Sequence, residues 1–378
     1  MNKLPEQAST TGLSNNALKA PKRIDYSFKH RSKSKLLYMS GKKLLQAAPQ
    51  VHMALTFSSG LNYEVVDVFT TQRFCGNQLA IVRLPHDSRI NHAEQQKIAR
   101  EFNFSETVFL RPLCTDAAKH EGKWAVDIFT PAEELPFAGH PVIGAAWSLY
   151  GLFPDPVTLV TKAGPIAVTY ELSGNTDSGT VQVTAVIPHD IHVHRCEVSK
   201  DRVLELQPAL QRSGIQMKES FPAVSIVKGI TFVLIELDSV DTLDRVATTA
   251  IPPKDVVELD GDWAPSFVGA YFYVRHGGLS QAGGKESSSH EISCRMIEGT
   301  LEDPATGSAA GTLAAYLAMA LIRKSNVKEP EIRFHLVQGK QMGRESHVRV
   351  KVSLTSVGNI DKIFLSGSAV RVMAGRLS

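Results

Sequence analysis

The sequence predicts a mixed helix-and-strand protein built from two similar halves, on three observations. The first is a repeated motif: Glu134-Leu-Pro136-Phe-Ala-Gly139-His140 and Glu302-Asp-Pro304-Ala-Thr-Gly307-Ser308 share the pattern E-x-P-x-x-G-(H/S). Each copy runs into an apolar, Ala-rich segment of helical character, so a duplicated domain is expected rather than a solenoid. The second is the alternation of strand-like and helix-like runs from Tyr63 onward, which restarts in the second half. The third is size and composition. At 378 residues, 43% hydrophobic and 21% charged, the chain has apolar content for a real core and a length that suits two domains.

Residues 1–60 read differently from the rest. They hold ten Lys/Arg against two acidic residues, are rich in Ser, Asn and Gln, and lack sustained apolar periodicity, which describes a solvated, disordered arm. A basic, acid-poor segment also fits a mitochondrial transit peptide, although Arg23 and Arg31 are its only arginines. Met53, just ahead of the first strand, is an alternative start. The remainder carries 31 Lys/Arg and 36 acidic residues, so the basic balance belongs to the arm and the globular part has no nucleic-acid signature by charge. The longest mostly apolar stretch, 309–322, is too short to span a bilayer, and no membrane span is expected. Four scattered cysteines (Cys75, Cys114, Cys196, Cys294) form neither a disulfide framework nor a paired zinc pattern, which favours a reducing setting. A cytoplasmic protein is expected, or a mitochondrial one if residues 1–52 are a transit peptide.

Taken in order, 63–70 is a β-branched strand that ends in the turn at Cys75-Gly76-Asn77, and 78–84 resumes it. A helix is expected over 93–102, strands over 106–110 and 124–129, and a strongly apolar helix over 141–150. Strands follow at 157–160, 166–172 and 181–187, with 188–194 crossing between the halves. The second half has strands at 223–227, 231–237 and 270–274, a helix near 240–246, a flexible loop at 280–289 and a helix over 308–322. Late strands cover 348–354 and 369–373.

The repeated motif has readable chemistry. Pro141 fits the first helical position, which makes His140 the expected N-cap, and Ser308 is a favoured N-cap for the second helix. Gly139 and Gly307 permit close backbone approach. Each helix start offers unpaired N–H groups and about half a positive charge, so two of them facing across a cleft would make one anion-binding pocket. Read singly, each is also a well-capped core helix. The copies differ where it matters: Asp303 replaces Leu135, and Ser308 replaces His140. That asymmetry suits a one-sided reaction.

Glu106 lies in Asn-Phe-Ser-Glu-Thr-Val-Phe-Leu, where period-two alternation puts it on one face with Phe104, Val108 and Leu110. A carboxylate on an apolar face has its pKa raised toward neutrality, as a general acid/base requires; alone, the stretch also reads as an edge glutamate facing solvent. The segment 227–233, taken as its second-half counterpart, has no acid, so a single carboxylate is expected to carry the proton. His189, His192, His194 and Cys196 invite a metal reading, but with no placed third ligand they read as a solvated linker.

With these motifs in hand, the sequence resembles the PhzF family of phenazine-biosynthesis-like isomerases, within the diaminopimelate epimerase and proline racemase superfamily. The resemblance rests on Val66-Asp-Val-Phe-Thr, Phe74-Cys-Gly76-Asn77-Gln-Leu-Ala-Ile-Val, Ser105–Phe109, Thr130-Pro131…Glu134…Gly139-His140, Glu302–Ser308 and Gln338-Gly339…Met342-Gly343-Arg344, in the family's order over residues 62–378. It implies an α+β fold of two similar domains, 62–188 and 189–378, each a β-barrel around a central helix, after an N-terminal extension over 1–61. The last strand would pair back to the first domain, and the active site would lie in the interdomain cleft. It implies Glu106 as the acid/base, with His140, Asp303 and Ser308 orienting substrate, and Gly139 and Gly307 beside them. Gly76 and Asn77 are expected to serve turn and packing first and to line the site second.

The resemblance further implies a small-molecule substrate, no metal, nicotinamide or pyridoxal cofactor, and a homodimer. Related epimerases place a Cys before the Gly at both helix starts; Ala138 and Thr306 stand there, so a two-thiol racemase is not expected, and Cys75 reads as a half-buried thiol. Met296-Ile-Glu298-Gly299 departs from the family's Phe-x-Pro approach to the second motif. The expected function is a cofactor-independent isomerase that moves a proton on a small, carboxylated cyclic metabolite. A non-catalytic small-molecule binder and a lyase or cyclase using the same base are the alternatives.

Overall fold

Ladder by ladder, the strands of the two halves pair in the same order. The computed structural model describes residues 60–113, 122–152, 157–173, 179–211, 215–277, 289–324, 330–356 and 358–378. The basic arm, Cys114 and nearly all of the 280–289 loop lie outside the described residues. The first half runs β1 (Leu61–Val68), β2 (Asn77–Arg83), α1 (His92–Phe102), β3 (Thr107–Pro112), β4 (Lys123–Phe129), β5 (Glu134–Leu135), α2 (Gly139–Leu149), β6 (Val157–Thr161), β7 (Gly164–Ser173) and β8 (Thr180–Ile187). The second opens with β9 (His192–Val193) and a side unit of β10 (Val198–Ser199), α3 (Lys200–Leu206), α4 (Pro208–Gln211) and β11 (Ser220–Phe221). It continues with β12 (Ala223–Val227), β13 (Ile230–Glu236), α5 (Val240–Asp244), β14 (Phe267–His276), β15 (His290–Glu298), β16 (Leu301–Asp303), α6 (Gly307–Lys324), β17 (Glu331–Gln338), β18 (Ser346–Leu354), β19 (Ile360–Gly367) and β20 (Ala369–Leu377).

In the first half β1–β2 is antiparallel, β2–β3 parallel, β3–β4 antiparallel and β4–β6 parallel. In the second, β12–β13 is antiparallel, β13–β14 parallel, β14–β15 antiparallel and β15–β17 parallel. The two crossovers in each half carry a helix, as parallel neighbours require. Both barrels are closed by strands that change partners. β8 pairs with β19, and from there β9 passes on to β12 while β20 passes back to β1. Each half therefore completes the other's wall.

The helix of each repeat fills a barrel. In α2 every residue except Trp147 is buried, and the helix contacts β1, β2, β3, β6, β8, β19 and β20. A helix apolar all round is stable only when enclosed, which is what its Ala-rich, charge-free sequence requires. α6 takes the same place against β12, β13, β17, β18 and β19. One contiguous apolar cluster, including Val66, Ile143, Leu313 and Leu365, runs through both barrels. Among the described residues no helix is long and apolar enough to cross a membrane.

Two helix starts differ from expectation. α2 begins at Gly139 with Ala138 in the N-cap position and no side-chain cap bond, so His140 is the second residue of the helix and not its cap. Proline is tolerated throughout the first turn, because none of those N–H groups has an intrahelical partner; Pro141 therefore does not mark the first position. α6 likewise begins at Gly307, which places Ser308 inside the first turn.

Candidate active site

The barrels meet at their helix starts. A methyl group added to Gly139 would lie 3.0 Å from the Gly307 Cα, and one added to Gly307 would lie 3.2 Å from the Gly139 Cα, so only glycine lets the two backbones come this close. Around that contact the fold gathers Asn77 from the start of β2, Glu106 just ahead of β3, His140 from α2 and Asp303 from the end of β16.

Asn77 links three of the elements. Its side-chain amide donates to Asp303 Oδ1 at 2.7 Å and to the Ala305 carbonyl at 3.0 Å, and lies 3.5 Å from His140 Nδ1. Asp303 also accepts from the Thr306 hydroxyl at 2.6 Å. The Gln338 amide donates to the Asp303 carbonyl (2.7 Å) and to Thr306 Oγ1 (3.0 Å), while the buried Tyr271 hydroxyl donates to Gln338 Oε1 (3.1 Å). Asp303 is thus fixed from several directions, and its orientation is set before any substrate arrives.

Glu106 and His140 are held differently. Glu106 Oε2 and His140 Nε2 are 3.5 Å apart, and both are buried with no hydrogen-bond partner. Buried polar atoms are seldom left unpaired, so these two are candidates for contact with a ligand. Burial raises the Glu106 carboxyl to about 7, partly offset by a hydrogen bond from Ser105. Burial lowers His140 to about 4, against the pull of the Asp303 charge and the Gln78 backbone. Asp303 rises to about 6 through burial and the nearby Glu106 carboxylate. At neutral pH the cluster therefore holds a carboxyl poised between its two forms beside a neutral imidazole, the pairing that proton transfer needs.

The repeat explains why only one half supplies this carboxyl. Thr107 pairs with Phe129 as Ala270 pairs with Ile297, and Phe129 pairs with Glu134 as Ile297 pairs with Glu302. In that register the counterpart of Glu106 is Gly269, on β14. The 227–233 segment expected to correspond lies instead across β12 and β13.

Asn77 reaches into the cluster rather than serving the turn alone. The turn itself depends on Gly76, whose φ of +69° and near contact with the Val68 carbonyl leave no room for a side chain. It is gripped from the other half by Arg344, which donates to the carbonyls of Gly76 (2.8 Å) and Cys75 (3.0 Å) and to Asp67 Oδ1 (2.6 Å). Asp67 Oδ2 accepts the Phe74 N–H at 2.6 Å. Sequence reasoning assigned no role to Gln338, Thr306, Tyr271 or Arg344. The signal for Gln338 was a polar residue ending an alternating apolar strand. His194 is buried rather than part of a solvated linker: its Nδ1 accepts the Asp260 N–H (3.0 Å), its Nε2 bonds Ser225 (2.9 Å), and His192 bonds Asp260 (2.7 Å), so Asp260 brings a third potential ligand beside the two imidazoles.

Paired barrels, each filled by a helix, give the protein an epimerase-like α+β fold. A family model described as phenazine biosynthesis-like protein (PhzC-PhzF) matches residues 66–375. An uncharacterized isomerase of Mesorhizobium japonicum is 30% identical over 326 residues, covering 84% of this chain and 98% of that protein. The trans-2,3-dihydro-3-hydroxyanthranilate isomerase of Pseudomonas aeruginosa is 29% identical over 318 residues, covering 83% and 98%. Among solved structures, a PhzF-family phenazine biosynthesis protein of Bacillus anthracis shares the fold with a TM-score of 0.64 at 20% identity, over 85% of this chain and all of that one. The chain belongs to the phenazine biosynthesis-like family, and it is an enzyme from a family of named isomerases.

Proposed function

We infer that the protein is an isomerase that shifts a proton between carbons of a small, carboxylated cyclic metabolite, without a bound cofactor. The facing, unpartnered Glu106 Oε2 and His140 Nε2 carry this reading. Ionised Glu106 removes a proton from an activated carbon and, as the carboxylic acid, returns it at another position of the same substrate. Neutral His140 hydrogen-bonds the substrate beside the reacting carbon. Asp303, fixed by Asn77 and Thr306, accepts from a substrate amino or hydroxyl group. The substrate's own carboxylate sits over the free N–H groups of the helix starts at Gly139–His140 and Gly307–Ser308. The naming of the Pseudomonas relative as a dihydro-hydroxyanthranilate isomerase supports a cyclic amino acid of this kind.

Glu106→Gln keeps the shape of the side chain and removes its basicity. Its turnover should fall by at least about a hundredfold, while the substrate still raises the melting temperature as it does for the parent. Incubation in D2O should place deuterium on substrate carbon with the parent enzyme and not with the variant. A variant that exchanged hydrogen at the parent's rate would remove Glu106 from the mechanism.

A further inference from the structure

The repeat exposes an imbalance of charge away from the Glu106 cluster. In the second half the buried Arg295 guanidinium pairs with Glu302 through two bonds (2.7 and 2.8 Å) and donates to the carbonyls of Leu243, in the last turn of α5, and of Val246, just beyond it. In the shared register Asp127 occupies the place of Arg295, and Glu134 that of Glu302. One half thus keeps a carboxylate with its own internal cation, and the other sets two carboxylates together. His92, the first residue of α1, joins them: its Nδ1 is 3.4 Å from Glu134 Oε2, and one ligand atom from each of His92, Asp127 and Glu134 lies within 4.8 Å of the others.

A cavity of about 230 Å³ opens beside this group, lined by His92, Gln95, Arg111 and Asp127 among others. Gln95 is only 2% exposed. Its amide nitrogen donates to Asp127 Oδ2 at 2.8 Å, and its carbonyl oxygen is buried with no partner. We propose that His92, Asp127, Glu134 and the Gln95 carbonyl oxygen bind a divalent transition-metal cation of the Zn2+ type. The donor set of imidazole, carboxylate and amide oxygen suits that class rather than Mg2+ or Ca2+, which take oxygen ligands. The 3.4 Å separation of His92 and Glu134 is close to the edge of a tetrahedron with bonds of about 2.0–2.1 Å.

Two cations stand nearby. The exposed Lys162 ammonium lies 3.1 Å from Glu134 Oε2 and must swing into solvent as the metal enters. Arg111 lines the same cavity, and its Nε is buried and without a partner. The bound ion would clamp the start of α1 to the β4–β5 hairpin that leads into Gly139 and His140, the role the Arg295 guanidinium plays in the other half.

The test is Zn2+ titration of the full-length, chelator-treated chain by calorimetry, with Co2+ absorption as a reporter of geometry. The expected result is one tight Zn2+ site, a raised melting temperature and visible Co2+ bands of four- or five-coordinate character. Asp127→Asn and His92→Ala should each weaken binding on the order of tenfold or more and abolish the bands, whereas His335→Ala, on another surface, leaves both intact. His92 is largely exposed, so His92→Ala decides the matter if Asp127→Asn fails to fold. Absence of Zn2+ binding, or binding and bands undiminished in His92→Ala, overturns the proposal.

Discussion

Glu106 is buried at a cost that pH controls. Its carboxyl moves from the ordinary 4.5 to about 7 on folding. Below pH 4.5 both folded and unfolded chains hold the proton; as pH rises toward 7 the unfolded chain releases it first, so stability falls across that window. A shift of this size corresponds to up to about 3 kcal/mol. Glu106→Gln should therefore melt higher than the parent at pH 8, with the gap closing below pH 4.5, as pH-resolved thermal denaturation will read. The same ionisation gives the free enzyme its base, so kcat/KM should rise with pH through about 7. His140, lowered to about 4, stays neutral across that range. Period-two alternation was enough to put Glu106 on an apolar face. Nothing near Asp303 in sequence announces its rise to about 6, because burial and Glu106, some two hundred residues away along the chain, cause it.

The helix starts are governed by the glycines that open them. Gly139→Ala would drive a methyl group to 3.0 Å from both the Gly307 backbone and the Leu365 side chain. Backbone cannot yield as a flexible side chain does, so a loss of about 1–3 kcal/mol is expected in urea unfolding. Turnover should fall as well, because the shift displaces His140. The repeated motif made both helices and their glycines legible, yet both helices start two residues ahead of the positions expected from the caps. Pro141 carries a constraint on φ that several first-turn positions satisfy, and the choice among them was made by packing.

Interlocking of the barrels is the property of the whole molecule that the site depends on. Arg344, from the second half, holds the turn that carries Asn77 in the first. Arg344→Ala would leave the buried Asp67 carboxylate without its cation, a loss expected at about 3–5 kcal/mol. Asp67→Asn in the same background should recover part of that stability, measurable by chemical denaturation. Turnover should remain low in both variants, since neither restores the grip on the turn. β8 and β19 each feed a strand into the opposite barrel. The halves are therefore expected to unfold together, as one transition in calorimetry.

The sequence by itself determined the duplication, the two apolar helices, most of the strands and the family, because these are written in local periodicity and in contiguous motifs. The family resemblance also anticipated the last strand's return to the first domain, and β20 lies on β1. Tertiary structure alone decided that β8 joins β19, that Asn77 bonds Asp303, that Gly269 takes the register position of Glu106, and that Asp127 stands where Arg295 stands in the other half. Each of these depends on pairing register between segments far apart in the chain, and register is settled by long-range packing that no local pattern encodes.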